Sequence, residues 1–304
     1  MKKKLLPLLL VLALLLPGCA STMPTAEIVA TTKPIYDFTS ALCRGTGLEV
    51  GLLISDSVSC LHDYSLSVSQ VRSAEAAQVM VISGAGLEEF MEDILHGCPV
   101  TIDSSRGISL LESTVEHNHD HSHGEDHDHD HDHDHDHDHE HDAHIWLSPA
   151  NAKIMAQNIC QGLSGAYPAH AAAFEANLTA LLQQLDALQA YGEAALDDLS
   201  CRELITFHDG FGYLADAFGL EIIAAVEEES GSEASAKDLI GMIQEVEHHG
   251  LPAIFTETNG SVSAAGIIAA ETGAKVFTLD MSMSDGDYFQ NMYHNIDTLK
   301  EALG

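Results

Sequence analysis

The sequence predicts an α/β protein of two βα lobes joined by one long rigid helix. Short apolar runs alternate with helical segments over residues 27–102, and the same alternation returns over 203–303. This alternation is typical of parallel sheets built from βα units. Between the two regions, residues 169–199 are almost all helix formers and carry a stripe of leucines. The two lobes are therefore expected to face each other across a cleft.

The first 26 residues are expected to lie outside the fold. Three lysines at 2–4 precede an apolar run over 5–16, as in a secretory signal peptide, and the run is too short for a transmembrane helix. The motif Leu16-Pro17-Gly18-Cys19 resembles the lipobox of bacterial lipoproteins. That resemblance implies a signal peptide over 1–18, lipidation of Cys19 and a lipidated segment over 19–26. Ordinary secretion with an unmodified Cys19 is the alternative.

Residues 27–167 are expected to form the N-terminal lobe. Ser148 is a helix N-cap and Pro149 occupies the first helical position, so a helix is predicted over 150–163. Another helix begins near Ser67, where apolar residues recur at helical spacing. The remaining predicted elements are strands at 27–31, 48–54, 79–82 and 100–102 and helices at 34–42 and 87–95.

Residues 168–199 are expected to form the linking helix, and 200–304 the C-terminal lobe. The linking segment contains no proline after its start, and at 1.5 Å per residue its helix would be about 45 Å long. In the C-terminal lobe the predicted strands are 203–207, 221–226, 253–256 and 275–279, and the predicted helices are 211–218, 236–248 and 288–303.

A segment at 116–142 alternates histidine with aspartate or glutamate almost without interruption. It has no apolar side chain to bury, so we expect a disordered, solvated loop. Imidazole is a common ligand of zinc, copper and nickel, which predicts an auxiliary loop of weak metal sites. A merely solubilising polar run is the alternative. The histidines of this loop are His117, His119, His121, His123, His127, His129, His131, His133, His135, His137, His139 and His141.

Charge and cysteine content narrow the possible partners. The formal net charge is −35 and no basic patch is present, which makes nucleic acid a poor partner. Five cysteines follow Cys19, and an exported protein can form disulfides. Cys43 and Cys60 lie near the ends of early elements, which suggests a disulfide, although spacing alone does not establish connectivity.

Outside the loop, three isolated histidines stand where strands give way to other structure: His62, His144 and His208. Asp280 directly follows the strand at 275–279. Ligands of open α/β sheets bind beyond the carboxyl ends of the strands, so these side chains can converge in the interlobe cleft. Each histidine taken alone is more often a surface or packing residue. Three imidazoles and one carboxylate together would form a normal tetrahedral zinc shell.

The chain resembles the zinc-binding solute-binding lipoproteins of bacterial high-affinity zinc ABC importers, within the wider zinc/manganese-binding cluster. The histidine-rich insertion is typical of the zinc branch. The resemblance covers about residue 27 to the end and rests on these motifs: His62-Asp63-Tyr64-Ser65-Leu66, Asp142-Ala143-His144-Ile145-Trp146-Leu147-Ser148-Pro149, Phe207-His208-Asp209-Gly210-Phe211-Gly212-Tyr213-Leu214, Ile254-Phe255-Thr256-Glu257 and Thr278-Leu279-Asp280.

The resemblance implies a metal bound between two lobes by His62, His144 and His208. Manganese-binding relatives usually have glutamate at the third position, so an imidazole there favours zinc. Some zinc members place an acid before the first histidine, where this chain has Leu61. Asp280 is then the expected fourth ligand, with water as the alternative. Glu257 is assigned to an outer shell or a helix cap.

The expected function is that of an extracytoplasmic protein that captures Zn²⁺ and delivers it to an ABC permease in the cytoplasmic membrane. The protein is expected to be lipid-anchored, monomeric and not an enzyme. The alternatives are a surface adhesin or zinc-storage lipoprotein, a manganese importer component and a metallohydrolase. The last is disfavoured because Asp209 and Glu257 are the only nearby acids that could act as a base beside a catalytic zinc.

Overall fold

The computed structural model describes residues 26–55, 61, 64–112, 141–227, 235–258 and 262–304. The N-terminal lobe contains a four-stranded parallel sheet of order β2-β1-β3-β4. Its strands are β1 (Ile28–Ala30), β2 (Val50–Leu52), β3 (Val79–Ile82) and β4 (Val100–Asp103). Its helices are α1 (Lys33–Cys43), α2 (Val68–Ala76) and α3 (Glu92–Gly97), the last preceded by a 3₁₀ turn at Glu89–Met91.

Two helices follow the histidine-rich segment. A 3₁₀ turn at Ile145–Leu147 leads into α4 (Pro149–Ala166), and the Ser148 hydroxyl accepts a hydrogen bond from the Asn151 backbone N–H as its N-cap. A second 3₁₀ turn at Pro168–His170 leads into α5 (Ala171–Ala195). The predicted linking helix over 168–199 is thus shorter than expected, about 37 Å at 1.5 Å per residue.

The C-terminal lobe repeats the topology of the first. Its parallel sheet has the order β6-β5-β7-β8. In both lobes the strands therefore lie in the order second, first, third, fourth. The strands are β5 (Glu203–His208), β6 (Glu221–Glu227), β7 (Ala253–Glu257) and β8 (Lys275–Leu279). The helices are α6 (Gly212–Ala217), α7 (Ala236–His249), α8 (Val262–Thr272) and α9 (Tyr288–Leu303).

A hydrophobic core common to both lobes runs through α5, which packs against α1, α4 and α9, and the C-terminal lobe has a second cluster that includes Phe207 and Ile254. Buried hydrogen bonds also cross between the lobes. The Trp146 indole N–H donates to the Met281 carbonyl at 2.7 Å, and the Tyr288 hydroxyl donates to the Trp146 carbonyl at 2.8 Å. The Tyr288 backbone N–H donates to Asp37 of α1 at 2.9 Å. These bonds hold the two sheets in one relative arrangement.

The two-lobed α/β architecture predicted from the sequence is confirmed, with local corrections. Helix α8 was not predicted, and residues 87–95 form only a short 3₁₀ turn and part of α3. Cys43 is a buried free thiol in the part of the chain that the structure describes, which gives no support to the suggested disulfide; its suggested partner, Cys60, lies outside the described residues. The predicted signal peptide and Cys19 also lie outside them.

The described chain resumes at His141, and Asp142 is buried, so the predicted loop over 116–142 extends two residues too far. In the part of the chain that the structure describes, no helix combines the length and apolar character needed to cross a membrane.

Candidate metal site

The first component of the site is His208, the last residue of β5. From Leu204 onward this strand is buried, and His208 itself is only 2% exposed. Parallel strands end at a common edge of the sheet, where open α/β folds bind ligands. The imidazole therefore lies at the edge of the C-terminal sheet that faces the other lobe.

The second component is His144, which precedes the 3₁₀ turn before α4 and is also 2% exposed. Oδ1 of Asp142 accepts hydrogen bonds from both the backbone N–H and Nδ1 of His144, each at 2.8 Å. With Nδ1 donating to a carboxylate, the Nε2 atom of a neutral imidazole retains its lone pair. A carboxylate that orients a histidine in this way is a common outer-shell feature of metal sites.

The two imidazoles meet between the lobes. Nε2 of His144 and Nε2 of His208 lie 3.4 Å apart, and the ring planes are inclined by 89°. Two nitrogens that are each about 2.0–2.1 Å from a tetrahedral zinc ion lie about 3.3–3.4 Å apart by geometry. The observed separation, which is also that of a long hydrogen bond, matches the spacing of two ligands of a single tetrahedral ion.

The base of the histidine-rich segment lies beside this pair. Glu112 and His141 form an antiparallel bridge, and the Asp142 backbone N–H donates to the Leu111 carbonyl at 3.0 Å. The Leu111 backbone N–H in turn donates to the Tyr213 hydroxyl on α6 at 2.9 Å. Burial raises the pKa of Tyr213 to about 12, so the hydroxyl remains protonated. Both ends of the segment are thus held against the C-terminal lobe.

Asp280 follows β8 and is 5% exposed. Its Oδ1 accepts a hydrogen bond from the Ser282 backbone N–H at 2.7 Å, and its Oδ2 accepts from the hydroxyls of Thr258 and Ser284. Its backbone exchanges two further hydrogen bonds with Asn295. Asp280 therefore organises the loop between β8 and α9, and its assignment as a metal ligand stays a prediction.

The remaining predicted site residues are distributed differently. Glu257 is buried at the end of β7, opposite Leu279, so it lies near Asp280 in the sheet. His62 and the loop histidines from His117 to His139 lie outside the described residues, whereas His141 is exposed. Among the residues that the structure covers, no three His, Cys, Asp or Glu side chains converge as a group able to hold a metal ion. The structure brings together His144 and His208.

Asp142 is the residue that sequence reasoning missed. It was counted with the acidic residues of the histidine-rich segment, although it is buried and bonded to His144. Its position two residues before a histidine at a helix start was the available signal.

Two parallel-sheet lobes, a long connecting helix and an imidazole pair between the lobes define a metal-binding protein of the two-lobed solute-binding class. Residues 28–302 match the family described as zinc-uptake complex component A periplasmic, ZnuA. The chain belongs to this family, and the resemblance identified from its motifs is confirmed.

Individual relatives agree with this assignment. The chain is 29% identical over 305 residues to "High-affinity zinc uptake system protein ZnuA" of Bacillus subtilis, covering 94% of this chain and 92% of that protein. It is 29% identical over 286 residues to "Zinc-binding protein AdcA" of Streptococcus pyogenes, covering 90% of this chain. The match spans only 55% of that relative, so the chain corresponds to about half of the AdcA length.

The fold matches a solved structure as well. A structure described as "Crystal structure of ZnuA" superposes with a TM-score of 0.76 at 27% identity, covering 91% of this chain and 98% of the other.

Proposed function

We propose that this protein is the extracytoplasmic zinc-binding component of an ABC importer, which captures Zn²⁺ between its lobes and delivers it to a permease in the cytoplasmic membrane. The observation that carries the proposal is the 3.4 Å separation of the two Nε2 atoms, one from each lobe. The names of relatives in Bacillus subtilis and Streptococcus pyogenes, a zinc uptake protein and a zinc-binding protein, support the same cargo.

In this proposal His62 supplies a third imidazole, and Asp280 or a water molecule completes the shell. Each carboxylate oxygen of Asp280 has two lone pairs. Oδ1 accepts one hydrogen bond among the described residues, so its second lone pair can coordinate a metal ion. Three imidazoles favour zinc over manganese, which prefers oxygen ligands. Manganese capture is therefore the less favoured alternative.

The surroundings of the proposed site suit reversible capture rather than catalysis. A catalytic zinc requires an open coordination position and a base beside its water. Two of the buried acids near the imidazoles hold the local structure: Asp142 accepts hydrogen bonds from His144, and Asp280 accepts hydrogen bonds from its own loop. We therefore propose that the protein has no enzymatic activity. It acts as a monomer, anchored to the membrane through lipid on Cys19.

Zinc-competition measurements with a chelator test the site. Removal of an outer-shell partner lowers metal affinity by about 10–100-fold. Removal of a ligand should lower the zinc affinity of the tight site further, and we expect this for each of three variants: His62→Ala, His144→Ala and His208→Ala. The matched control is His96→Ala, since His96 is exposed on α3 and far from the site in the sequence. Wild-type affinity in any of the three variants would remove that residue from the proposed shell.

The transport role needs its own test. Cells that carry the His208→Ala protein should take up zinc poorly under zinc limitation, as should cells that lack the permease. An adhesin or a zinc-storage protein would also bind zinc. In that case, however, zinc uptake by the cells would not depend on the permease. Equal zinc uptake with and without the permease would therefore contradict the importer role and favour that alternative.

A further inference from the structure

The turn between β5 and α6 lies against the His208 ring. Gly210 lies in this turn and Gly212 is the first residue of α6, with the buried Phe211 between them. Neither glycine adopts a positive φ. Alanine would therefore fit the backbone conformation at both positions, and any need for glycine must come from the space around the turn.

At Gly210 the limiting neighbour is His208 itself. A Cβ atom at residue 210 would lie 2.7 Å from both Cδ2 and Nε2 of the His208 ring, and 2.5 Å from the terminal methyl of Met281. Such separations are too short for non-bonded carbon and nitrogen atoms, which reach optimal contact at about 3.5–4.0 Å. The Met281 side chain is flexible and can yield. A shift of the imidazole away from residue 210 would also displace Nε2, the nitrogen that faces His144.

At Gly212 the limiting neighbour is Asp142. A Cβ atom at residue 212 would lie 2.9 Å from Oδ2 of this carboxylate. The other oxygen, Oδ1, is the atom that accepts both hydrogen bonds from His144. A side chain at 212 would therefore displace the group that sets the orientation of the His144 ring.

We infer that Gly210 and Gly212 are positioning residues that hold the two imidazoles at the separation a shared metal ion requires, Gly210 through His208 and Gly212 through Asp142 and His144. This inference rests on the proposed zinc site. The short turn serves both lobes, because one glycine admits the histidine of its own lobe and the other admits the carboxylate of the opposite lobe.

Alanine substitutions test the inference in the full-length protein. Gly210→Ala and Gly212→Ala should each lower the affinity for zinc by about 10–100-fold, the range found when outer-shell support of a metal ligand is removed. The matched control is Gly266→Ala in α8 of the same lobe, where a Cβ atom would meet nothing within 4 Å. Gly266→Ala should bind zinc with wild-type affinity.

A double-mutant cycle separates the two routes. In an Asp142→Ala background, Gly212→Ala should cause little further loss of zinc affinity, because its target carboxylate is already gone. Gly210→Ala should keep its full effect in that background. Crystal structures of metal-free wild type and Gly210→Ala should differ in the distance between Nε2 of His144 and Nε2 of His208. If Gly210→Ala does not fold, Gly210→Ala/Met281→Ala relieves the crowding from the methionine and permits the same measurement.

Wild-type zinc affinity in folded Gly210→Ala and Gly212→Ala would overturn the inference. An additional loss from Gly212→Ala in the Asp142→Ala background would also overturn the route through Asp142. Neither result touches the proposed zinc site, which is contradicted if His144→Ala or His208→Ala retains tight zinc binding. The two sets of variants therefore distinguish failure of the positioning role from failure of the site.

Discussion

Nε2 of His144 and Nε2 of His208 lie 3.4 Å apart, although 64 positions separate the two residues along the chain. One belongs to the segment that leads into α4, and the other ends β5 of the second sheet. Their approach is set by the buried bonds between lobes, in which Trp146 and Tyr288 participate. The candidate site therefore exists only when both lobes are folded and packed together.

Asp142→Ala should weaken zinc binding by about 10–100-fold, since removal of an outer-shell carboxylate frees the histidine ring to turn and lowers its basicity. Asp142→Asn should lose less, because an amide oxygen can still accept one hydrogen bond from His144. Chelator competition measures both affinities. The exposed Asp186, which pairs with Lys153 on the surface, provides the control Asp186→Ala. Equal affinities in Asp142→Ala and wild type would show that Asp142 does not support the site.

Deletion of residues 117–140 should leave one tight zinc ion per molecule and remove the weaker ones, because a chain of equivalent donors must pay ordering entropy for each ion. Glu112 and His141 are already paired, so the four residues 113–116 can connect them as a hairpin loop of ordinary length. Isothermal titration calorimetry measures the stoichiometry. Loss of the tight site would mean that the loop supplies one of its ligands.

A second deletion, of residues 116–142, serves as the contrast, because it places Val115 instead of an acidic residue directly before Ala143. It also removes Asp142, so it should weaken the tight site as Asp142→Ala does. If both deletions bind zinc with the same affinity, the hydrogen bonds from His144 to Asp142 contribute nothing to the metal site.

Tyr288→Phe should lower the free energy of unfolding by about 0.5–1.5 kcal/mol, because it removes the hydrogen bond from the Tyr288 hydroxyl to the Trp146 carbonyl inside the core. Urea unfolding measures the change. Tyr191→Phe makes the same substitution on the surface, where the hydroxyl donates to Asp297, and should stay within about 0.5 kcal/mol of wild type. Equal losses in the two variants would argue against a stabilising role for the buried bond.

Glu88→Gln should reduce the dependence of stability on pH. The Glu88 carboxylate accepts hydrogen bonds from the Thr31 hydroxyl and from the backbone N–H groups of Ser83 and Gly84, yet complete burial raises its pKa from 4.5 to about 7. Between those pH values the folded protein binds more protons at this group than the unfolded chain does. The contribution of Glu88 to stability is therefore lost as pH rises through this window.

The size of the Glu88 effect follows from its pKa. At 1.36 kcal/mol per pKa unit, the loss from pH 4.5 to pH 8 is up to about 3 kcal/mol. Urea unfolding at pH 5 and pH 8 should show a smaller difference for Glu88→Gln than for wild type. The exposed neighbour supplies the control, Glu89→Gln, which should keep the wild-type difference. If Glu88→Gln showed the same difference in the free energy of unfolding between pH 5 and pH 8 as wild type, the pH dependence would arise from another group.

The sequence alone determined the elements whose signals are local. Predicted strands at 79–82 and 275–279 and the helix at 288–303 coincide with β3, β8 and α9, and Ser148 caps α4 as expected. Apolar runs, capping hydroxyls and proline act on their immediate neighbours, so their consequences can be read from order along the chain. Helix α8 escaped because its small residues and central glycine form no amphipathic stripe.

Only the tertiary structure decided how the site residues relate to one another. The motifs singled out His144 and His208, but their 3.4 Å separation depends on how two lobes pack. Asp142 was assigned from its acidic neighbours to a solvated loop, whereas burial against the β5–α6 turn makes it the hydrogen-bond partner of His144. The packing of the two lobes decides which side chains come within hydrogen-bonding distance. Neither the periodicity of the sequence nor the spacing of its motifs contains that information.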